Sequence, residues 1–231
     1  MPLPDSEFVR QELVTLSDLL ALLYPGDPAD PLLFPTPLWA ARDPIDLLVA
    51  AILSQATSDR NSKRAMECLK HAFPGWKEAA AAPVRKLAAV IASGGLADTK
   101  APRIQAVLRA LNLHEGGELD FLHGLSIEDA FKFLTGLPGV GPKTAACLLL
   151  FGFGRPVFPV DTHILRILRR LGLLPVKLDA SKAQALLSGL IPPENVLGLH
   201  LRLIEHGRRV CRSRNPLCHS CGLAARCRRQ L

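Results

Sequence analysis

The chain has 231 residues, 48% of them hydrophobic, enough to bury one large core or two modest ones. Its longest unbroken apolar stretch, "AACLLLFGFG" (Ala145–Gly154), is too short to span a bilayer, and "MPLPDSEF" lacks the basic start and apolar run of a signal peptide. The formal charge is +7, and Glu205–Leu231 carries seven arginines against one acid, so nearly all of it sits at the end of the chain. A cytoplasmic protein that spans no membrane is expected, with its thiols reduced. The basic end suits either a polyanion or a solvated tail. Aromatic residues, at 5%, argue against a single-strand surface built on stacking.

Leucine and alanine dominate the apolar residues, and few stretches alternate apolar with polar, so an all-α protein is expected. Residues 1–43 are proline-rich around one short apolar helix in "LSDLLALLYPG". A stronger start signal follows in "DPIDLLVAAILSQATSDRN": Asp43 can cap, Pro44 suits the first helical position, and apolar residues then recur at helical spacing. Further helix-sized segments are divided by "FPGW", "SGGLADTKAP" and "LHEGGELD". Cys68 and Cys147 fall in helical apolar settings and read as core residues.

In "LPGVGPKTAA" (Leu137–Ala146), Pro138, Gly139 and Gly141 permit a tight hairpin, and Pro142 can open the next helix. The exposed amides of such a hairpin and helix start form an anion site. A plain helix–turn–helix corner and a hairpin that binds DNA without reacting with it are equally consistent with this segment alone. Lys143 falls in the first turn of that helix, where the positive helix end disfavours an ammonium. Partial burial there would further favour the free amine, a nucleophile for an electrophilic sugar carbon. The other reading is an exposed lysine pairing with phosphate.

"PVDTHILRILRRLGL" places Asp161 before a helix with Ile164, Leu165, Ile167, Leu168 and Leu171 on its apolar side. Asp161 reads as an N-cap, a role compatible with catalysis. His163 reads as structural or as a phosphate contact. The terminal cysteines Cys211, Cys218, Cys221 and Cys227 follow C-x6-C-x2-C-x5-C. Four thiolates in short consecutive loops suit Zn²⁺ or a cubane iron–sulfur cluster, and spacing alone leaves both open.

Together these stretches resemble the endonuclease III family of DNA glycosylases, in the helix-hairpin-helix superfamily. "LPGVGPKTA" is similar to its hairpin, "VDTHILR" to its aspartate segment, and "HGRRVC" with the cysteine spacing to its [4Fe–4S] loop. "ILSQATSD" and "GGLADTKAPRI" are similar to segments lining its DNA-binding cleft. The resemblance covers roughly residues 43–229. It implies a six-helix barrel domain over 43–155, and a second helical domain from 1–42 and 156–231 that holds the cluster. It further implies a monomer acting on double-stranded DNA with damaged pyrimidines or abasic sites, the nucleotide rotated out of the stack. Gln55 would fill the gap and Leu96 would wedge against the opposite strand. Gly139, Val140, Gly141, Thr144 and His163 would meet the DNA, as would Arg212 and Arg214, held on a loop stiffened by the metal. Lys143 would attack C1′ and Asp161 would position it, releasing an oxidised pyrimidine and breaking the strand 3′ to the lesion by β-elimination.

Two departures from the family pattern are Pro142, where many relatives carry a basic residue, and Ser58, where some carry an acid. Two rivals remain open here. One is a monofunctional adenine-mismatch glycosylase, whose relatives lack a lysine at the position of Lys143. The other is a non-catalytic DNA-binding module stapled by zinc.

Overall fold

A computed structural model describes residues 5–30, 33, 43–112 and 119–228. The helices are α1 (Ser6–Leu23), α2 (Pro44–Leu53), α3 (Asp59–Ala72), α4 (Trp76–Ala81), α5 (Val84–Val90), α6 (Ala97–Asn112), α7 (Ile127–Gly136), α8 (Pro142–Phe153), α9 (Thr162–Leu171), α10 (Ala180–Leu190) and α11 (Val196–Arg209). Among the described residues there is no strand, as expected of an all-α chain. No helix there is long and apolar enough to cross a membrane. The chain divides into two compact units, Thr36–Arg155, and Met1–Pro35 with Pro156–Leu231.

In the unit Thr36–Arg155 the core is α2 against α8. Every residue of α2 from Asp46 to Leu53 is buried, as is every residue of α8 from Thr144 to Leu150. Asp43 caps α2 by accepting from the Asp46 N–H at 2.7 Å, with Pro44 as first helical residue. The one carboxylate inside α2, Asp46, is compensated by the Lys70 ammonium at 2.7 Å and the Trp76 indole N–H at 3.0 Å. Gly152 of α8 faces Leu47 so closely that a Cβ would lie 2.8 Å from its Cδ2. The first three residues of "FPGW" form the turn between α3 and α4, and Trp76 opens α4.

The other unit packs α1 on α10 and α11, and α9 on α10 and α11. In α9 Ile164, Ile167, Leu168 and Leu171 are buried, with Leu165 only half-buried, and the helix stops at Gly172 in a left-handed conformation, φ 80°. Its first turn lies against α11 at Gly207, where a Cβ would meet the His163 ring at 2.6 Å.

Three expectations need correction. The N-terminal helix is not short: α1 begins at Ser6, where Asp5 accepts from the amides of Glu7 and Phe8, and it runs 18 residues. "SGGLADTKAP" is not all divider, because α6 starts inside it at Ala97 and carries Pro102 in its N-terminal half. Cys68 is exposed: the buried stripe of α3 is Ser62, Ala65 and Leu69, and position 68 falls beside it, whereas Cys147 is buried as expected. Most of "LHEGGELD" and residues 34–42 lie outside the described residues.

Candidate active site

In the unit Thr36–Arg155, α7 ends at Gly136 and the chain turns through Leu137–Gly141 into α8. The turn closes with the Val140 N–H donating to the Leu137 carbonyl at 3.1 Å, Gly139 adopting φ 76°. The stem of Arg103 lies across this glycine, 3.2 Å from where a Cβ would project. Nothing comes within 4 Å of the corresponding point at Gly141, which is exposed. Val140, grouped with the glycines as a DNA contact, uses its N–H for the turn and buries its side chain. Among the described residues the Gly139 and Gly141 amides donate to no backbone carbonyl, so the free donors belong to the glycines.

Lys143 is the second residue of α8, and it is exposed. Of the two readings of Lys143, the structure shows the exposed one, because the buried face of α8 begins one residue later, at Thr144. Among the described residues the Lys143 amine has no hydrogen-bonding or ion-pair partner. Thr144 is buried and its hydroxyl accepts from the Gln55 side-chain amide at 3.4 Å. Gln55 thus lies beside the start of α8, in the loop that follows α2.

Leu96 precedes α6, with 60% of its surface exposed. It adopts φ 50°, as does Ala56 after Gln55. The left-handed region costs a non-glycine residue on the order of 1 kcal/mol, so both loops hold strained backbone, at Leu96 itself and at the residue after Gln55.

In the second unit, Asp161 is the N-cap of α9, its carboxylate accepting from the Ile164 N–H at 2.8 Å. His163 packs on Gly207, with Nδ1 3.0 Å from an Arg166 guanidinium nitrogen, an arrangement that serves the α9–α11 junction. Cys211, Cys218, Cys221 and Cys227 line one cavity of about 410 Å³ including its open mouth. The guanidinium of Arg170 donates to Cys211 Sγ at 3.3 Å and to the Arg212 carbonyl at 2.8 Å, while Arg166 Nε donates to the Cys211 carbonyl at 2.9 Å. His206 is buried, and that burial pushes its imidazole down to about 4. The neutral ring satisfies both neighbours if the Tyr24 hydroxyl, 2.9 Å from Nδ1, donates and Nε2–H points at Cys221 Sγ, 3.7 Å away. Arg212 and Arg214 are exposed on the loop between Cys211 and Cys218, where Asn215 adopts φ 49°.

Not every arginine near the cysteines is available to a ligand. Arg226 makes two bonds to the Glu12 carboxylate, 2.6 and 2.8 Å, tying the cysteine loops to α1, and Arg209 reaches Glu205 at 3.4 Å. Sequence reasoning passed over Arg166, Arg170, His206 and Lys100. For the two α9 arginines a signal existed, since a spacing of four puts them on one helix face.

The family model for the HhH-GPD superfamily of base excision DNA repair proteins matches residues 49–193. An endonuclease III of Thermotoga maritima is 36% identical over 80% of this chain and 83% of its own. A provisionally named DNA glycosylase of Arabidopsis thaliana is 39% identical over 72% of this chain, which spans only 57% of that protein's length. A trapped covalent intermediate of an endonuclease III with DNA, an estranged-adenine complex, superposes with a TM-score of 0.79 at 29% identity, covering 95% of this chain and 96% of that one. The hairpin, the helix starts and these likenesses agree: the chain belongs to the HhH-GPD superfamily of base excision DNA repair proteins and, within it, to the endonuclease III family of DNA glycosylases.

Proposed function

We propose that the chain is a bifunctional DNA glycosylase and abasic-site lyase that removes oxidised pyrimidines from double-stranded DNA. The observation that carries this reading is an exposed lysine amine without a partner among the described residues, at a helix start beside two free glycine amides. The amides suit a phosphate, and a phosphate bound there brings the adjoining sugar toward the amine. Lys143 Nζ, once it has lost a proton, forms a bond to C1′ while the C1′–N bond breaks and the base leaves with the electron pair. The C1′–O4′ bond then breaks as the nitrogen forms a double bond to C1′, and O4′ takes the proton that the nitrogen gives up, leaving an open-chain imine. Loss of a C2′ proton forms a C2′=C3′ double bond while the C3′–O bond breaks and the phosphate on the 3′ side leaves with that bond's electron pair. Asp161, a carboxylate fixed by its capping bond, serves as the acid–base and electrostatic partner. Gln55 fills the gap left by the extruded nucleotide, and Leu96 wedges against the opposite strand.

The four cysteines would hold a [4Fe–4S] cluster, whose chemistry here is cross-linking rather than reaction. Support comes from the donor set: four thiols around one cavity, with Arg170 and His206 placed to donate to sulfur. Iron with acid-labile sulfide in the purified protein is the expected finding, and zinc alone would refute the assignment.

The test of the reaction is borohydride reduction with DNA carrying thymine glycol or an abasic site. A covalent adduct is expected with the native chain and none with Lys143→Ala. An undiminished adduct in that variant would remove Lys143 as the nucleophile.

A further inference from the structure

Lys100 of α6 is 1% exposed, yet it carries an ammonium group. Among the described residues no carboxylate faces it, and burial pulls its ionisation below the usual lysine range. Its two acceptors are backbone carbonyls, Leu53 at 2.7 Å and Gly94 at 2.8 Å. An uncharged aliphatic side chain would fill the same space without the cost of desolvating a charge. What the lysine adds is a bridge between two loops.

Leu53 is the last residue of α2, where the terminal carbonyls lack helical partners and carry the negative end of the helix dipole. Gly94 closes a short 3₁₀ turn after α5. Each carbonyl lies two residues before a side chain singled out as a DNA insert, Gln55 in one loop and Leu96 in the other. The loops adjoin directly. A Cβ at Gly94 would stand 3.0 Å from Ala65 Cβ and 3.9 Å from Leu53 Cδ2, and one at Gly95 would stand 4.0 Å from Thr57 Oγ1. Ala56 and Leu96 are both held at φ 50°, a conformation that persists only where the surroundings over-determine it.

We propose that Lys100 is a positioning residue whose ammonium locks the loops of residues 54–57 and 93–96 in one register, so that Gln55 and Leu96 enter the duplex as a pair. This inference rests on the reading of those two side chains as inserts. Lys100 touches neither DNA nor the reacting atoms. It acts on the opening of the duplex and not on the bond changes at Lys143.

The test compares two substrates with the full-length, metal-loaded protein. One is a thymine glycol paired in a duplex, followed by single-turnover base release and by 2-aminopurine fluorescence beside the lesion. The other is an abasic site in single-stranded DNA, followed by borohydride trapping, where no base pair must be opened. Lys100→Met, which keeps the reach and loses the donors, is expected to slow base release and extrusion about ten-fold or more at saturating DNA. Single-strand trapping should change by less than about two-fold. Lys100→Gln, with a side-chain amide to donate, is expected to recover part of the loss. Adding Lys100→Met to Gln55→Ala/Leu96→Ala should slow the duplex reaction no further. Equal losses on both substrates, or no loss on the duplex, would overturn the proposal. If Gln55→Ala/Leu96→Ala itself leaves duplex turnover intact, the reading of the inserts fails. If that variant is impaired and Lys100→Met is not, only the bridge fails. Should Lys100→Met not fold, hydrogen exchange of the native chain decides. The amides of residues 54–57 and 95–97 are expected to lose protection together along a denaturant series, and independent opening would refute the lock.

Discussion

Asp161 has two separable jobs, and their separation can be measured. Its carboxylate accepts from the Ile164 amide, which any N-cap residue with a side-chain oxygen can do, while a proton acceptor or a counter-charge for a cationic sugar requires the carboxylate itself. Asp161→Asn keeps the cap and loses the charge. Its melting temperature is expected to stay near that of the native chain, with single-turnover base release falling by at least about two orders of magnitude. Asp161→Ala loses both, and urea unfolding should show a further deficit of about 1 kcal/mol. Native turnover in Asp161→Asn would leave this residue as a cap alone. Lys143 poses the complementary case. Being exposed, it has few contacts to lose, so Lys143→Ala should leave stability unchanged, and any loss of trapping reports chemistry.

At the scale of elements, the candidate residues gather at helix ends: Gln55 after α2, Leu96 before α6, Gly139 to Thr144 at the start of α8, Asp161 at the start of α9. Helix ends expose amides and carbonyls without helical partners, and they fix a side chain on a rigid rod. The hairpin's two glycines answer different needs, which gives a contrast within one turn. Gly139→Ala forces a Cβ into a left-handed residue and against the Arg103 stem, so the chain should lose about 1–2 kcal/mol in urea unfolding. Gly141→Ala has φ −86° and open space, so stability should hold while the added methyl obstructs a phosphate. Its affinity for an abasic-site analogue is expected to fall. Equal stability in both variants would contradict the turn geometry.

Those helix starts were legible because cap and proline are neighbours in the chain: Asp43 with Pro44, Gly141 with Pro142, Asp161 with its own first turn. The length of α1 and the exposure of Cys68 were harder to read, since which face of an apolar helix is covered depends on its partners. The bridging role of Lys100 left no trace in the sequence. Its acceptors lie 6 and 47 positions away, and only the packing of α2 against α6 brings the more distant one within reach.

Over the whole molecule the seven arginines at the C-terminal end overstate what DNA can use, because some of them are already paired with carboxylates. Arg226 is bound to Glu12 of α1, which fastens the cysteine loops to that helix, and Arg209 pairs with Glu205 one turn away on α11. Arg212 and Arg214 are exposed on a loop whose carbonyls are gripped by Arg170, so their backbone is fixed while their guanidinium groups reach outward. Binding to phosphate releases counterions, and each contact contributes about 0.9 to the slope of log affinity against log salt. Arg212→Ala with Arg214→Ala is expected to flatten that slope by about two units for undamaged and damaged duplex alike, since phosphate contacts do not read sequence. Arg226→Ala should leave the slope alone and lower the melting temperature, because it unfastens the cysteine loops from α1. If the slope instead falls with Arg226→Ala and not with the loop pair, the DNA lies against a different face of this unit.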